Sequence, residues 1–294
     1  MDVNISANTL FHFTSDRKSL LSILKSGFYI RYSLENYDGL INGQSEIVFP
    51  LVSFCDIPIS QVKRHTKTYG SYAIGLKKDW GMRNGVNPVV YAYPDSTTSQ
   101  ILNDLYLDIQ QLFDIEEKEI PKIKKRRASR REFFLKELVQ ELESSDFRNK
   151  TKLIERIYSL TSKLSYFIKY IKPYEGKFCR NGEYSDSVVK FYDEREWRYV
   201  PNQEFYAKHK IKDSYAPNIY RNPISRRAIN IQLVNKLRLR FDPDDVRFII
   251  VAKESEIPTI LDEVEEVFGS KASHNSLKLL STRIISLEQI IEDI

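Results

Sequence analysis

The clearest indication of the fold comes from residues 9–27, which read TLFHFTSDRKSLLSILKSG. The first six residues alternate in the manner of a β-strand, so that His12 and its second neighbours share one face. Asp16 then offers an N-cap, the leucines that follow recur at helical spacing, and Gly27 can close the helix. A strand followed directly by a helix predicts a mixed α and β fold.

Strand and helix patterns of the same kind recur along the rest of the chain. Residues 47–54 predict a strand, which Pro50 should confine to a sheet edge or a bulge. Residues 201–235 carry weak signals and are expected to be partly loop. The other expected strands are 72–76, 89–93, 188–192, 196–200, 246–252 and 278–285, and the other expected helices are 59–69, 257–268 and 287–294.

The middle of the chain has a different texture. Residues 96–172 contain one proline and no glycine, and their apolar residues recur at helical spacing. We therefore expect an α/β body formed by residues 1–95 and 177–294, split by a helical insertion over residues 96–176.

Composition excludes several classes of protein. The 294 residues are 41% hydrophobic and 29% charged, which is typical of a folded globular protein. Cys55 and Cys179 are too few for a disulfide framework or a four-cysteine zinc site, and the histidine spacing predicts no metal site. There is no P-loop, GxGxxG or GxSxG motif. No apolar run of membrane-spanning length or secretion signal is apparent, so we expect a cytoplasmic protein without membrane contact.

The net charge of +5 conceals a basic segment over residues 122–131. Clustered cations of this kind form a solvated helix face, contact nucleic-acid phosphates, or dock to an acidic protein partner. The sequence leaves these three interpretations open. The binding residues in the latter two would be Lys124, Lys125, Arg126, Arg127, Arg130 and Arg131.

Residues near the first strands could contact a ligand. His12 and Thr14 share a strand face, where an imidazole and a hydroxyl can hydrogen-bond a ribose or an amide. Phe54 and Tyr69 could stack on a planar ring. For each of them the alternative is an ordinary core or rim residue, and Cys55 is a weak candidate for a nucleophile because nothing in the sequence supplies its base.

A late charged strand, DEREWRYV over residues 193–200, could supply carboxylates. Glu194, Glu196 and Arg198 are expected on one face. They either form surface ion pairs on a half-exposed strand or present a carboxylate that stabilises positive charge developing at an anomeric carbon. The start of this strand is expected to lie outside the deep core.

Taken in order, these segments resemble known families. LFHFT, VSFCDIP with Tyr69, and EREWRYV resemble the motifs of the ADP-ribosyltransferase fold. With LKSGF, YGSYAIGLKKDWG, FDPDDVRFIIVAKESEI and STRIISLEQI, they look like the AbiGi family, which is associated with bacterial abortive infection against phage and with an antitoxin role. The resemblance implies an α+β fold with an ADP-ribosyltransferase-like split β-sheet core and a helical insertion.

The resemblance also implies a site that takes NAD as a substrate. His12, assisted by Thr14, would hold the adenosine ribose and the nicotinamide amide, while Phe54 or Tyr69 would stack on nicotinamide. Phe54 departs from the Tyr or Ser usual at its position. The catalytic residues implied are Glu196, which would orient the nicotinamide ribose, and Glu194, which would activate the acceptor.

Three hypotheses about function follow. The first is an NAD-dependent ADP-ribosyltransferase that modifies RNA, DNA or protein in phage defence; Glu196→Ala should then abolish transfer and leave the fold intact. The second is a catalytically inactive protein of the same fold, an antitoxin or regulatory binder that sequesters a toxin. The third is an RNA-binding module that uses the basic segment.

Overall fold

The computed structural model describes residues 7–41, 46–119, 159–234 and 236–293, with only the backbone of residues 109–119. The protein is an α+β fold. Its strands, in chain order, are β1 Thr9–Thr14, β2 Phe28–Tyr29, β3 Arg31–Asn36, β4 Glu46–Cys55, β5 Tyr72–Lys77, β6 Asn87–Pro88, β7 Val90–Ala92, β8 Ile171–Pro173, β9 Gly176–Arg180, β10 Glu183–Val189, β11 Glu196–Tyr199, β12 Arg238–Leu239, β13 Val246–Val251 and β14 Ile284–Ser286.

One mixed sheet of eight strands organises the fold. Its order is β14-β13-β5-β1-β4-β11-β6, and β3 pairs with β4. The β13–β14 pair is parallel and the other pairs are antiparallel. Strand β4 therefore lies at the centre, between the first strand and the late charged strand.

Helices cover both faces of this sheet. Four early helices are α1 Arg17–Ser26, α2 Val62–Tyr69, α3 Lys78–Arg83 and α4 Thr97–Glu119. The later ones span residues 159–168, Gln203–His209, Pro217–Arg221, Pro223–Val234, Ile257–Phe268, His274–Ser281 and Leu287–Asp293. No helix in the described part of the chain is long and apolar enough to cross a membrane.

The opening strand–helix unit forms as the sequence predicts. Asp16 caps α1, because its carboxylate accepts a hydrogen bond of 2.8 Å from the Ser19 backbone N–H. Gly27 follows the helix with a φ of 80°, which a residue with a Cβ adopts only under strain. Local capping signals are thus sufficient to define this unit.

The two faces of the sheet differ in chemistry. Strand alternation and register place Phe54, Trp197 and His12 on one face, which we name the aromatic face. Ser53 and Arg198 oppose each other on the other face, which also carries Glu196 and which we name the charged face. The largest apolar core, which includes Phe54, packs against the aromatic face.

Two smaller apolar clusters cover the charged face. One joins Phe49 and Leu51 of β4 to helical residues such as Leu102 and Ile168. The other surrounds Phe11 and includes α2 and the last helix, with Cys55 packed against it. Because side chains of β4 alternate, Ser53 lies between these clusters, and so do the charged residues beside it.

The prediction that Pro50 confines its strand to an edge or a bulge is wrong. Strand β4 is central, and its pairing with β3 runs without a register shift. Tyr32 lies opposite Pro50, yet its backbone N–H donates to Asn230 Oδ1 at 2.8 Å. Tyr32 and Pro50 exchange no backbone hydrogen bond with each other. The absence of an N–H on Pro50 therefore removes no hydrogen bond between β3 and β4.

Three late segments also differ from expectation. The first half of the strand expected over residues 278–285 belongs to the helix His274–Ser281, which Ser273 caps by accepting from the Ser276 N–H at 3.1 Å, and β14 begins only at Ile284. Residues 201–235, expected to be partly loop, are mainly helical and contain three helices. Strand β10 ends at Val189, before most of the strand expected over 188–192, and residues 191–194 form a 3₁₀ turn.

The division into a body and an insertion stays a prediction. The described parts of residues 96–176 include α4 and helical residues 159–168, followed by β8. Strand β8 pairs in parallel with β7, so the chain leaves and rejoins this side of the fold at adjacent strands.

Candidate functional site

A tight turn positions the two late glutamates. Glu194 ends a 3₁₀ turn, Arg195 adopts a left-handed φ of 46°, and Glu196 then begins β11. The Glu196 backbone N–H donates to the Tyr91 hydroxyl at 2.8 Å. The backbone reversal at Arg195 brings both carboxylates to the same side of the sheet.

Glu196 lies in the interior with its carboxylate fully engaged. The residue is 4% exposed. One oxygen accepts from Ser53 Oγ at 2.6 Å and Arg198 Nε at 2.5 Å, and the other accepts from Lys172 Nζ at 2.6 Å. The expectation that Glu196 lies outside the deep core is therefore wrong.

Lys172 joins the two glutamates. Its Nζ donates to Glu194 at 2.8 Å as well as to Glu196, and it lies 4.4 Å from the centre of the Phe191 ring. The Tyr69 hydroxyl donates to the second oxygen of Glu194. One buried ammonium group thus holds two carboxylates that would otherwise repel each other.

Arg198 completes the arrangement. The residue is 0% exposed, its Nη1 donates to the Lys169 carbonyl at 3.0 Å, and its Nη2 donates to the Glu35 carboxylate. We name Glu35, Lys172, Glu194, Glu196 and Arg198 the carboxylate network. It contains three acids and two bases.

The pKa values in the network are set by competition between burial and charge. Burial disfavours the ionised form of Glu196, but the Arg198 and Lys172 charges outweigh it and hold its pKa well below the usual range. Burial likewise opposes the charge on Lys172, yet Glu194 and Glu196 raise its pKa well above the usual value. Burial, reinforced by Glu194, raises the pKa of Tyr69. These three shifts move no group towards neutral pH, where general acid–base catalysis operates best.

His12 and Thr14 lie on the aromatic face. The His12 Nδ1 is 2.8 Å from the Ser53 carbonyl oxygen, and its ring contacts Phe28 and Phe54. Burial lowers the pKa of His12, so it is neutral at physiological pH. The Thr14 hydroxyl donates to the Asp16 carbonyl at 3.2 Å.

Phe54 is enclosed by the core. It is 0% exposed and meets Phe28 and Trp80 edge to face, with ring centres 5.0 and 5.5 Å apart. A ring surrounded in this way has no open face for stacking on a nicotinamide.

The predicted site residues fall into two groups. Glu194 and Glu196 meet at Lys172 and Tyr69 donates to Glu194, whereas His12, Thr14 and Phe54 belong to the aromatic face. The three expected to share a cleft, His12, Tyr69 and Glu196, do not do so, because strand alternation directs His12 and Glu196 to opposite sides of the sheet. Their catalytic and NAD-binding roles stay predictions.

Sequence reasoning found one of the two cations that neutralise the carboxylates and missed the other. Arg198 carried a signal, since it stands two residues after Glu196 on the same strand face. Lys172 carried none, because it comes from β8, 24 residues earlier in the chain. The basic segment with Lys124, Lys125, Arg126, Arg127, Arg130 and Arg131 lies outside the described residues.

The described residues contain no group of three or more His, Cys, Asp or Glu side chains that could hold a metal ion. The carboxylate network also differs in kind from a metal site, because its own lysine and arginine already occupy the carboxylate oxygens.

Comparison with known proteins gives two matches. A family model described as "Putative abortive phage resistance protein AbiGi, antitoxin" matches residues 27–252. The "Abortive phage resistance protein AbiGi" of Lactococcus lactis subsp. cremoris is 24% identical over 289 residues, covering 90% of this chain and 94% of that protein. No solved structure matches the chain.

Proposed function

This chain belongs to the AbiGi family of abortive phage resistance proteins, and we propose from this premise that it is a non-catalytic antitoxin that binds a partner toxin. The family's association with abortive infection bears on most of the chain, since the family model covers residues 27–252. The antitoxin wording of that model supports a binding role over an enzymatic one.

The proposal rests on the carboxylate network, in which both oxygens of Glu196 are already bonded to other side chains of the protein. A glutamate that acts on a ribose needs an oxygen free to face the substrate. Both oxygens of Glu196 already accept hydrogen bonds from Ser53, Lys172 and Arg198, and the residue is 4% exposed. These contacts are those of a structural ion network.

The position of His12 supports the same conclusion. An NAD site of the implied kind needs the histidine and Glu196 to meet the ligand together. Here the sheet itself stands between their side chains, and His12 is bound to the Ser53 carbonyl within an aromatic cluster.

The test is complex formation with the protein encoded by the adjacent gene, alongside an assay of NAD cleavage. We expect the two proteins to co-elute in size-exclusion chromatography and the purified chain to release no nicotinamide from NAD. Glu196→Gln, provided that it folds, should retain the complex, and Asp244→Asn, at an exposed carboxylate, serves as the matched control. Nicotinamide release that Glu196→Gln abolishes and Asp244→Asn preserves would contradict the proposal.

A second candidate function is an NAD-dependent ADP-ribosyltransferase acting on RNA, DNA or protein. It is favoured by the meeting of Tyr69, Glu194 and Glu196 at one point, since these are the stacking and carboxylate residues that the resemblance implies. For NAD to reach Glu196, the Lys172 bridge would have to open. Transfer of label from NAD to a macromolecule in phage-infected lysate would support this candidate.

A further inference from the structure

A groove lies beside the small β9–β10 sheet. It has a volume of about 710 Å³ and is lined by the end of α2, by both strands of the hairpin and by the helices at Pro217–Arg221 and Pro223–Val234. The hairpin turn packs closely on Arg221, since a Cβ at Gly182 would meet the Arg221 side chain at 3.1 Å. The groove is therefore formed by elements that support each other.

The lining of this groove is cationic. It contains Lys67, Arg180, Arg221 and Arg226 against one carboxylate, Glu183. Within the described residues, Lys67, Arg180 and Arg226 form no ion pair, because the salt bridges found there involve other cations. An anionic ligand would thus meet charges that are largely uncompensated.

Two of the arginines are held in place. Arg226 donates to the Asn181 carbonyl, and its guanidinium lies 5.4 Å from the centre of the Tyr220 ring. Arg221 pairs with Glu46, which also accepts from the Tyr184 hydroxyl at 2.6 Å. Positioned guanidinium groups lose less side-chain entropy when they bind a carboxylate.

Exposed apolar side chains lie on the helix Pro223–Val234, which also carries Arg226. Ile224 is 81% exposed and Ile231 is 58% exposed. Seven residues apart, they lie on the same side of one helix, and the exposed Arg227 stands between them and the groove. Branched apolar groups beside a polar rim are typical of protein interfaces.

We propose that the groove and the Ile224–Ile231 side of this helix together dock an acidic segment of the partner protein that also carries apolar side chains. The inference rests on the proposed function, since it names the surface by which the antitoxin holds its partner. The uncompensated cations favour carboxylates, and the exposed isoleucines favour a protein over a nucleic acid, whose backbone offers phosphates but no apolar groups.

The experiment measures the affinity of the full chain for the adjacent-gene protein. Lys67→Glu combined with Arg180→Glu should weaken binding about tenfold or more and reduce its dependence on salt, because long-range attraction is lost. Ile224→Asp should also weaken it. Arg247→Glu combined with Lys271→Glu makes the same charge change at exposed positions outside the groove and should leave binding unchanged. Thermal unfolding of each variant checks that the fold is retained.

The outcomes are distinct. If the wild-type chain forms no complex, the proposed function fails and this docking surface fails with it. If wild type and the Lys67→Glu, Arg180→Glu variant bind equally, the docking surface alone is overturned. A third outcome combines two results: the Lys67→Glu, Arg180→Glu variant loses the wild type's binding to a labelled single-stranded RNA, and Ile224→Asp still binds the partner. The groove would then bind nucleic acid, and the proposal is likewise overturned.

Discussion

The two faces of the central sheet are built from the same strands but held together by different forces. On the aromatic face, Phe54 and Trp197 of neighbouring strands pack into one large apolar core. On the charged face, the residues that alternate with them, Ser53, Glu196 and Arg198, bond to each other and to Lys172. Alternation along β4 and β11 separates these two environments by one residue.

Because of this difference, the two faces should not tolerate amino-acid substitutions equally well. The free energy gained by burying an apolar side chain does not depend on direction. Replacing that side chain with a smaller apolar one therefore loses only part of the free energy. A buried ion pair depends on both partners, because removing one leaves an unpaired charge in a medium of low polarity. The charged face should therefore be the less tolerant of single substitutions.

The largest effect is expected from Arg198→Met. It would leave Glu196 and Glu35 without their fully buried cation, at a cost of about 3–5 kcal/mol in the free energy of unfolding. Guanidinium-induced unfolding measures this. Phe54→Leu on the opposite face is the comparison, with a cost of about 1.5 kcal/mol or less. Equal costs for the two variants would remove the contrast between the faces.

A double-mutant cycle tests whether Lys172 acts by separating two carboxylates. Lys172→Met should destabilise the protein strongly, because Glu194 and Glu196 then face each other without the buried ammonium group that bonds to both. Adding Glu194→Gln removes one of the two charges and should recover about 1–3 kcal/mol. Urea unfolding of the wild type, the two single variants and the double variant gives the coupling. Strict additivity would show that Lys172 does not mediate between them.

The aromatic face should respond to mild acid through His12. Burial lowers the pKa of His12, so the unfolded chain takes up a proton at the ordinary value of about 6.5 before the folded chain does. The stability contributed by neutral His12 is complete above that pH and falls below it by up to about 1.4 kcal/mol per pH unit. His12→Gln should reduce this slope below pH 6.5, and the slope that remains belongs to His65, whose pKa is also lowered by burial. Parallel slopes for His12→Gln and wild type would contradict the assignment.

The smallest effect is expected at a surface ion pair near the network. Arg64 and Asp193 are 3.3 Å apart, with side chains 69% and 44% exposed. Arg64→Met should change the unfolding free energy by about 1 kcal/mol or less, because water already screens the pair. A larger loss of stability in thermal unfolding would mean that exposed ion pairs outside the buried network also stabilise the charged face.

Local patterns predicted the elements whose residues interact with near neighbours in the chain. The strand and helix over residues 9–26 and the helix Ile257–Phe268 follow directly from alternation, capping and helical spacing. The pattern in the helix His274–Ser281 also predicts a strand, because its apolar residues fit both the helical and the strand period over so short a length. Pro50 predicts an edge or a bulge wrongly, because the sequence does not reveal which backbone groups a neighbouring strand leaves unused.

The sequence by itself determined the α+β class, the family resemblance and the alternation that places Glu196 and Arg198 on one strand face, since each depends on residues close in the chain or on their order. Only the tertiary structure decided what those residues do. The bridge from Lys172 to both glutamates, and the opposite directions of His12 and Glu196, depend on strand order and register between distant segments. Local periodicity carries no information about that pairing, because a one-residue change of register reverses every side chain of a strand.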